Sequence, residues 1–252
     1  MRISILGAAV ALALVTGSAT AAERPKLAAQ NWSFDGIFGT FDRATLRRGV
    51  QVYSEVCASC HSLKLVAYRN LGDVGYSADE VKAIAAEFEV TDGPNDDGDM
   101  FTRPARPADR FAAPFENDKA ARAANNGAMP PDLSLITKAR KGGSDYIYAL
   151  LSRYAEEPPA DFELSDGMYY NEVFPGHQIA MSPPLGEDAV EYADGTKATT
   201  AQMSKDVTTF LVWAAEPEME ERKRLGIKVM LFLLVLTGLL YALKRKIWSD
   251  LH

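Results

Sequence analysis

Residues Leu225 to Leu243 form a run of 19 in which Lys228 is the only charge. That length matches the roughly 20 residues a helix needs to cross a bilayer. Apolar residues occupy every face of it, which does not suit a core helix with one wet side. Lys228 stands one turn from Arg222-Lys223-Arg224, so its ammonium can snorkel to the headgroups, and Lys244-Arg245-Lys246 closes the far end. The expected layout is a transmembrane anchor with basic flanks over 222–246 and a short tail at 247–252, with everything else folding on one side.

The first residues indicate which side. Met1-Arg2 precedes Ile3 to Val15, a weakly apolar run too short to span, and Ala19-Thr20-Ala21 with Ala22 supplies small residues at A-x-A spacing. This reads as an export signal over 1–22. A mitochondrial presequence would be amphipathic and Arg-rich, so bacterial export is expected. Basic residues stand on both sides of the anchor and do not orient it. The export signal does, placing 23–221 in the periplasm and the tail in the cytoplasm, as a single-pass protein of the bacterial cytoplasmic (inner) membrane.

The formal net charge of −7 conceals an asymmetry. With the signal and the anchor flanks set aside, residues 23–221 hold 19 basic and 33 acidic residues, a net −14. Nucleic acid and anionic lipid are poor partners for such a surface, and a basic protein is a good one. Only 2 Cys are present, Cys57 and Cys60, three positions apart, so no disulfide framework links distant segments. His61, His177 and His252 are too few for a His-rich active site.

The exported part reads as mostly helical. Asp42 can cap a helix carrying Leu46, Val50, Tyr53 and Cys57 on one face. Ser77 and Glu80 form a capping box before Val81, Ile84, Ala85 and Phe88. Thr91 to Asp99 reads as a long acidic irregular loop. Asp118 to Asn126 suggests a short helix stopped by Gly127, and Ser144 caps another bearing Ile147, Leu150, Leu151 and Tyr154. Asp194-Gly195 after Val190 and Tyr192 suggests a small hairpin. Met203, Val207, Phe210, Leu211 and Ala214 mark one more helix, interrupted near Pro217.

The chemistry is concentrated in Cys57-Ala58-Ser59-Cys60-His61. Two thiols three apart can add across the two vinyl groups of one haem, and the adjacent His is then placed beneath the iron. A thioredoxin-like pair would want its cysteines at a helix N-terminus, whereas here the helical stripe precedes them. Zinc would need His61 to ligate awkwardly beside Cys60, with distant His177 as fourth ligand. A structural vicinal disulfide loop is the remaining alternative. One covalent haem c is the expected cofactor. For the sixth iron position the residues alone leave His177, Met100, Met129, Met168, Met181, Met203 and Met219 open. Met203 is expected in the core, and the prolines after Met181 would hold it in a loop.

Four ordered stretches carry a specific resemblance: Val52 to Ser62, Asn125 to Ser134, Ile179 to Leu185, and Trp213 to Glu218. Together they resemble the cytochrome c1 family, the haem c subunit of the quinol:cytochrome c oxidoreductase or cytochrome bc1 complex. The resemblance implies a class I-like cytochrome c helical core with long loop insertions, a small hairpin and one C-terminal transmembrane helix. It implies His61 and Met181 as axial ligands and leaves His177 a loop residue. It also implies that Arg140 and Tyr146 bond a haem propionate and that Pro131 lines the haem pocket. Some bacterial members pin the ligand loop with a second cysteine pair, which is lacking here. The implied partners are cytochrome b, the Rieske iron–sulfur protein and a soluble basic cytochrome c, within a dimeric complex. On that reading the chain is an electron carrier and no enzyme by itself, in contrast to a stand-alone anchored cytochrome or a haem enzyme with an open iron site.

Overall fold

The computed structural model describes residues 27–249, so the expected export signal and the end of the tail lie outside the described residues. The first helix, α1 (Arg43–Glu55), starts as its sequence requires, with the Asp42 carboxylate accepting from the Thr45 amide at 2.7 Å. A 3-10 turn over Cys57–Ser59 follows directly. Next come α2 (Leu71–Val74) and α3 (Ala78–Ala86), the latter opened by the expected Ser77/Glu80 capping box.

The acidic stretch after α3 differs from expectation. Strand β1 (Glu89–Asp92) pairs antiparallel with β2 (Phe101–Pro104), Glu89 opposite Pro104 and Asp92 opposite Phe101, so a hairpin replaces part of the expected loop. Arg103 fastens it by pairing with Asp92 and, at 2.6 Å, with Asp109.

Helix α4 (Asp118–Ala124) is capped by Asn117, and Gly127 turns the chain away at φ +86°. Helices α5 (Ile136–Ala139) and α6 (Gly143–Ser152) follow. Gly142 in the left-handed conformation, rather than Ser144, is the N-cap of α6, and Ser144 lies inside its first turn. A short antiparallel pair, β3 (Tyr169–Tyr170) and β4 (Gln178–Ile179), precedes the candidate ligand methionine. Asp194-Gly195 makes a turn and not a hairpin: no strands flank it, the Gly195 amide bonds the Tyr192 carbonyl, and Asp194 accepts from Thr196. Helix α7 (Thr200–Ala215) ends before Pro217, as its sequence predicts. Helix α8 (Met219–Ile247) then runs unbroken, beginning a turn earlier than the expected anchor boundary. It is the one helix among the described residues long and apolar enough to cross a membrane.

Packing of α1 on α7 forms the centre of the domain. Gly49 permits it, because a Cβ there would lie 2.2 Å from the Asp206 carbonyl and 2.7 Å from the Phe210 Cβ. Beside this contact Arg48 grips the fully buried Asp206 in a two-pronged bond of 2.9 and 3.2 Å, and Gln202 donates to the same carboxylate at 2.9 Å. Asp194 takes a further Arg48 nitrogen at 2.8 Å. Burial alone would lower the guanidinium pKa, but the two carboxylates outweigh it and raise it. Tyr53, Phe210, Trp213 and Met203 fill the surrounding core, with the Tyr53 and Phe210 rings 5.7 Å apart.

Candidate haem site

The motif begins where α1 ends. The Cys60 and His61 amides both bond the Cys57 carbonyl, at 3.1 and 2.9 Å, curling the five residues into one tight turn. Both cysteines are half-buried and unpaired. Burial, with a smaller contribution from the Cys60 charge, pushes the Cys57 thiol up to about 12. A thiol–disulfide catalyst needs the opposite shift, from a helix N-terminus or a nearby cation, so the pair is not tuned for thiol exchange.

The His61 ring is oriented by backbone. Its Nδ1 stands 2.8 Å from the Pro131 carbonyl oxygen. A carbonyl only accepts, so Nδ1 carries the proton and Nε2 keeps a free lone pair. Burial disfavours the charged ring and lowers its pKa, although the Pro131 bond partly opposes that. The result is a neutral, singly oriented imidazole, the form that ligates metals.

Pro131 is itself held. The Asp132 carboxylate accepts from the Ser62 hydroxyl and the Lys64 amide, each at 2.8 Å, and from the Ser134 amide at 2.9 Å. The Leu133 amide bonds the Ser62 carbonyl at 2.9 Å, and the Leu65 amide bonds the Ser134 hydroxyl at 3.0 Å. Partial burial would raise the Asp132 pKa, but the Lys64, Ser134 and Ser62 donors outweigh it and hold the carboxyl below its usual value. From the other side the Tyr53 hydroxyl donates to the His61 carbonyl at 3.1 Å. Sequence reasoning missed Asp132. The signal was present: an Asp two residues before a Ser, directly after two prolines, is an Asx-turn pattern.

Next to the motif lies an open cavity of about 540 Å³, lined by Cys60, Lys64, Phe115, Met129 and Pro130 among others. Its volume falls within the usual range for cofactor sites, about 300–1,000 Å³. Of the expected site residues only Cys60 lines it; Cys57, His61, Pro131, Arg140, Tyr146 and Met181 do not.

A model of the Cytochrome C1 family matches residues 32–251. The chain belongs to the cytochrome c1 family. It is 53% identical over 236 residues to cytochrome c1 of Rhodospirillum rubrum, covering 88% of this chain and 87% of that one. Against the mitochondrial heme protein cytochrome c1 1 of Arabidopsis thaliana the identity is 56% over 221 residues, 87% of this chain and 71% of the relative. Cytochrome b/c1 of Bradyrhizobium diazoefficiens is 52% identical over 242 residues, 88% of this chain, but the chain spans only 35% of that relative's length.

Within this cytochrome c1 fold the other candidate residues fall into two groups. Met181 is half-buried on the loop after β4, and its carbonyl accepts from the Tyr154 hydroxyl at 3.1 Å. Burial raises the Tyr154 pKa, with a further contribution from Tyr146. Asn171 shapes the approach: fully buried, it donates to the Leu150 carbonyl at 2.9 Å and accepts from the Val173 and Phe174 amides at 3.0 Å. Arg140 lies apart at the end of α5, exposed, with a bond of 3.2 Å to the Ala139 carbonyl. His177 sits in the β3–β4 turn at φ +58°, stacked 5.9 Å from the Tyr170 ring and edge-on to Phe162. Met203 is buried on α7, as expected, while Met100 is exposed beyond the β1–β2 turn.

The donor chemistry fits haem c. Two unpaired cysteines share one turn, a neutral imidazole presents Nε2, and a cavity opens beside Cys60.

Proposed function

We propose that this chain is the haem c electron-transfer subunit of a bacterial quinol:cytochrome c oxidoreductase. Membership of the cytochrome c1 family makes it a subunit of the bc1 complex, and on this reading the chain by itself is an electron carrier. The finer assignment gives it cytochrome b and the Rieske protein as neighbours, a basic soluble cytochrome c as acceptor, and a place in a dimeric complex. The signal at 1–22, the periplasmic domain at 23–221 and the anchor at 222–246 complete the reading.

The observation that carries it is the Pro131 carbonyl bonded to Nδ1 of His61, which fixes the tautomer an axial ligand needs. Cys57 and Cys60 would hold the haem covalently, His61 and Met181 would ligate its iron, Arg140 and Tyr146 would bind a propionate, and Pro131 would stand beside it. Bound there, haem c supplies one-electron exchange at iron, and a methionine ligand raises its potential relative to two histidines. The protein contributes orientation and recognition. Tyr154 fixes the backbone of the methionine loop, Asp132 and Tyr53 fix the histidine turn, and the acidic surface selects a basic partner.

The test is a pair of variants of the detergent-purified protein. Met181→Leu is expected to keep covalent haem, lower the midpoint potential and admit carbon monoxide to the reduced form. His177→Ala is expected to do neither of the last two. Carbon monoxide binding by the His177 variant alone would overturn the ligand assignment.

A further inference from the structure

The net −14 of the exported domain argues against anionic lipid overall, yet its membrane-facing end is built differently. The loop before α1 is clamped to the start of α8. Lys223 Nζ donates to the Phe34 carbonyl at 2.6 Å and to the Gly39 carbonyl at 3.1 Å. The Phe41 amide and Arg43 both bond the Glu220 carboxylate, at 2.7 and 2.8 Å. At the tip of this rigid loop Ile37 and Phe38 are 68% and 83% exposed. Large apolar side chains held firmly in the open mark a surface that meets something apolar. Lys223 precedes Leu225 by two residues, about 3 Å of helix rise, so the loop's clamp stands at the level where the span begins.

Between the loop, α5, α7 and α8 lies a cavity of about 500 Å³. Lys138, Arg222 and Lys223 line it against two carboxylates, Glu216 and Asp35, which leaves one positive charge in excess. Lys138 and Arg222 converge on a single oxygen of Glu216, at 2.6 and 3.0 Å, so that one carboxylate oxygen serves two cations. Thr137 lines the same cavity at 6% exposure, and its buried hydroxyl has no partner among the described residues. A buried hydroxyl without a partner is costly unless a ligand supplies one.

We infer that this cavity is a binding site for the headgroup of one anionic phospholipid of the outer leaflet. The phosphate would pair with Lys138 and Arg222 and accept from the Thr137 hydroxyl, while Ile37 and Phe38 enter the acyl boundary beside the first turns of the span. The excess charge equals that of one phosphodiester. Basic and apolar groups alternating at one depth are the chemistry of an interfacial anchor. The inference rests on α8 crossing the membrane with the globular domain on the periplasmic side, and does not depend on the haem assignment.

The full-length protein, reconstituted in phosphatidylcholine vesicles with and without phosphatidylglycerol, tests it by native mass spectrometry and photo-crosslinking. One phosphatidylglycerol should be retained in preference to phosphatidylcholine. Arg222→Gln should reduce that retention about fivefold, the effect of one interfacial charge. Thr137→Val should also reduce it, while leaving the melting temperature unchanged or raised, because it removes an unpartnered polar atom. A purely structural hydroxyl would give the opposite pair of results. Benzoylphenylalanine placed at Phe38 should form a lipid adduct on irradiation, both in vesicles and in native membranes, with the same probe at Leu234 as the control for the span. Equal retention of the two lipids, indifference to both substitutions, or a Phe38 adduct to a protein subunit in native membranes would each overturn the inference. Loss of the lipid adduct at Leu234 would instead overturn the anchor.

Discussion

Asp132 touches no candidate ligand atom, yet the geometry makes it the residue on which the histidine turn depends. Asp132→Ala removes the acceptor for three donors. The Lys64 amide is exposed and can turn to water, so its loss adds little. The Ser62 hydroxyl and the Ser134 amide belong to residues 9% and 0% exposed and cannot. Each buried donor left without a partner costs about 1–3 kcal/mol, which for the two puts the loss at about 2–6 kcal/mol. For a domain of this size, at about 2–4 °C per kcal/mol, the melting temperature should fall by roughly 4–24 °C. Asp132→Asn keeps one acceptor oxygen, so with its oxygen toward Ser62 and Lys64 it loses only the Ser134 bond and should show about half the effect. Because the folded carboxyl titrates below the ordinary aspartate value, its contribution is complete above that value and is lost as the pH falls through the folded pKa. The gap between wild type and Asp132→Ala should therefore be constant near neutrality and close in strong acid. Thermal melts followed by circular dichroism in detergent, repeated across pH, measure all of this. A neutral-pH melting temperature within about 2 °C of wild type would refute the clamp, since two unsatisfied buried donors at about 1 kcal/mol each already exceed that shift.

Asp206→Ala leaves the Arg48 guanidinium, 14% exposed, without its buried partner, and urea unfolding should show a loss of about 3–5 kcal/mol. Gly49→Ala puts a methyl 2.2 Å from the Asp206 carbonyl and forces α1 from α7; a loss of about 1–3 kcal/mol or more is expected in the same assay, despite the better helix propensity of Ala. Electron transfer to a basic soluble cytochrome c should slow steeply with added salt, because exposed charges are screened over about 8 Å at physiological ionic strength. Neutralising Asp188 and Glu191 should flatten that dependence more than neutralising Asp96, Asp97 and Asp99. Glu187 is a poor probe, since its carboxylate accepts from the Thr200 amide at 3.0 Å and helps to cap α7.

The helices with a strong apolar period and a side-chain cap were legible: α1 from Asp42, α3 from its capping box, and α8 from its length. The β1–β2 hairpin was not. Its strands alternate between exposed and half-exposed positions, so no apolar face advertises them, and the intervening Asp and Gly residues read as loop. Asp194-Gly195 misled in the opposite sense. Its turn chemistry is real, but Asp194 is committed to Arg48 and Thr196, and the flanking residues go to the core instead of to a ladder. At α6, Ser144 was the better cap by residue type, yet Gly142 at φ +95° makes the turn that no β-carbon tolerates easily. In the site, the covalent motif stood out because cysteine chemistry is local. Tyr154 and Asn171 did not, because each bonds a backbone carbonyl of a distant segment, and such contacts leave no mark in composition; Asp132 left only its Asx-turn pattern, since its bonds to Ser62 and Lys64 reach another segment.

Helix α8 has no hinge. It starts with Met219 sunk in the domain core and continues through 29 residues, about 43 Å, without a proline or a break. The globular part is thus mounted on a stiff post rather than tied to the bilayer by a cord. Its height and heading are set by the angle at which the post stands, and thermal tumbling cannot sweep its face between two stations. If an electron arrives from one neighbour and departs to another at different points on this domain, the travelling has to be done by the neighbours.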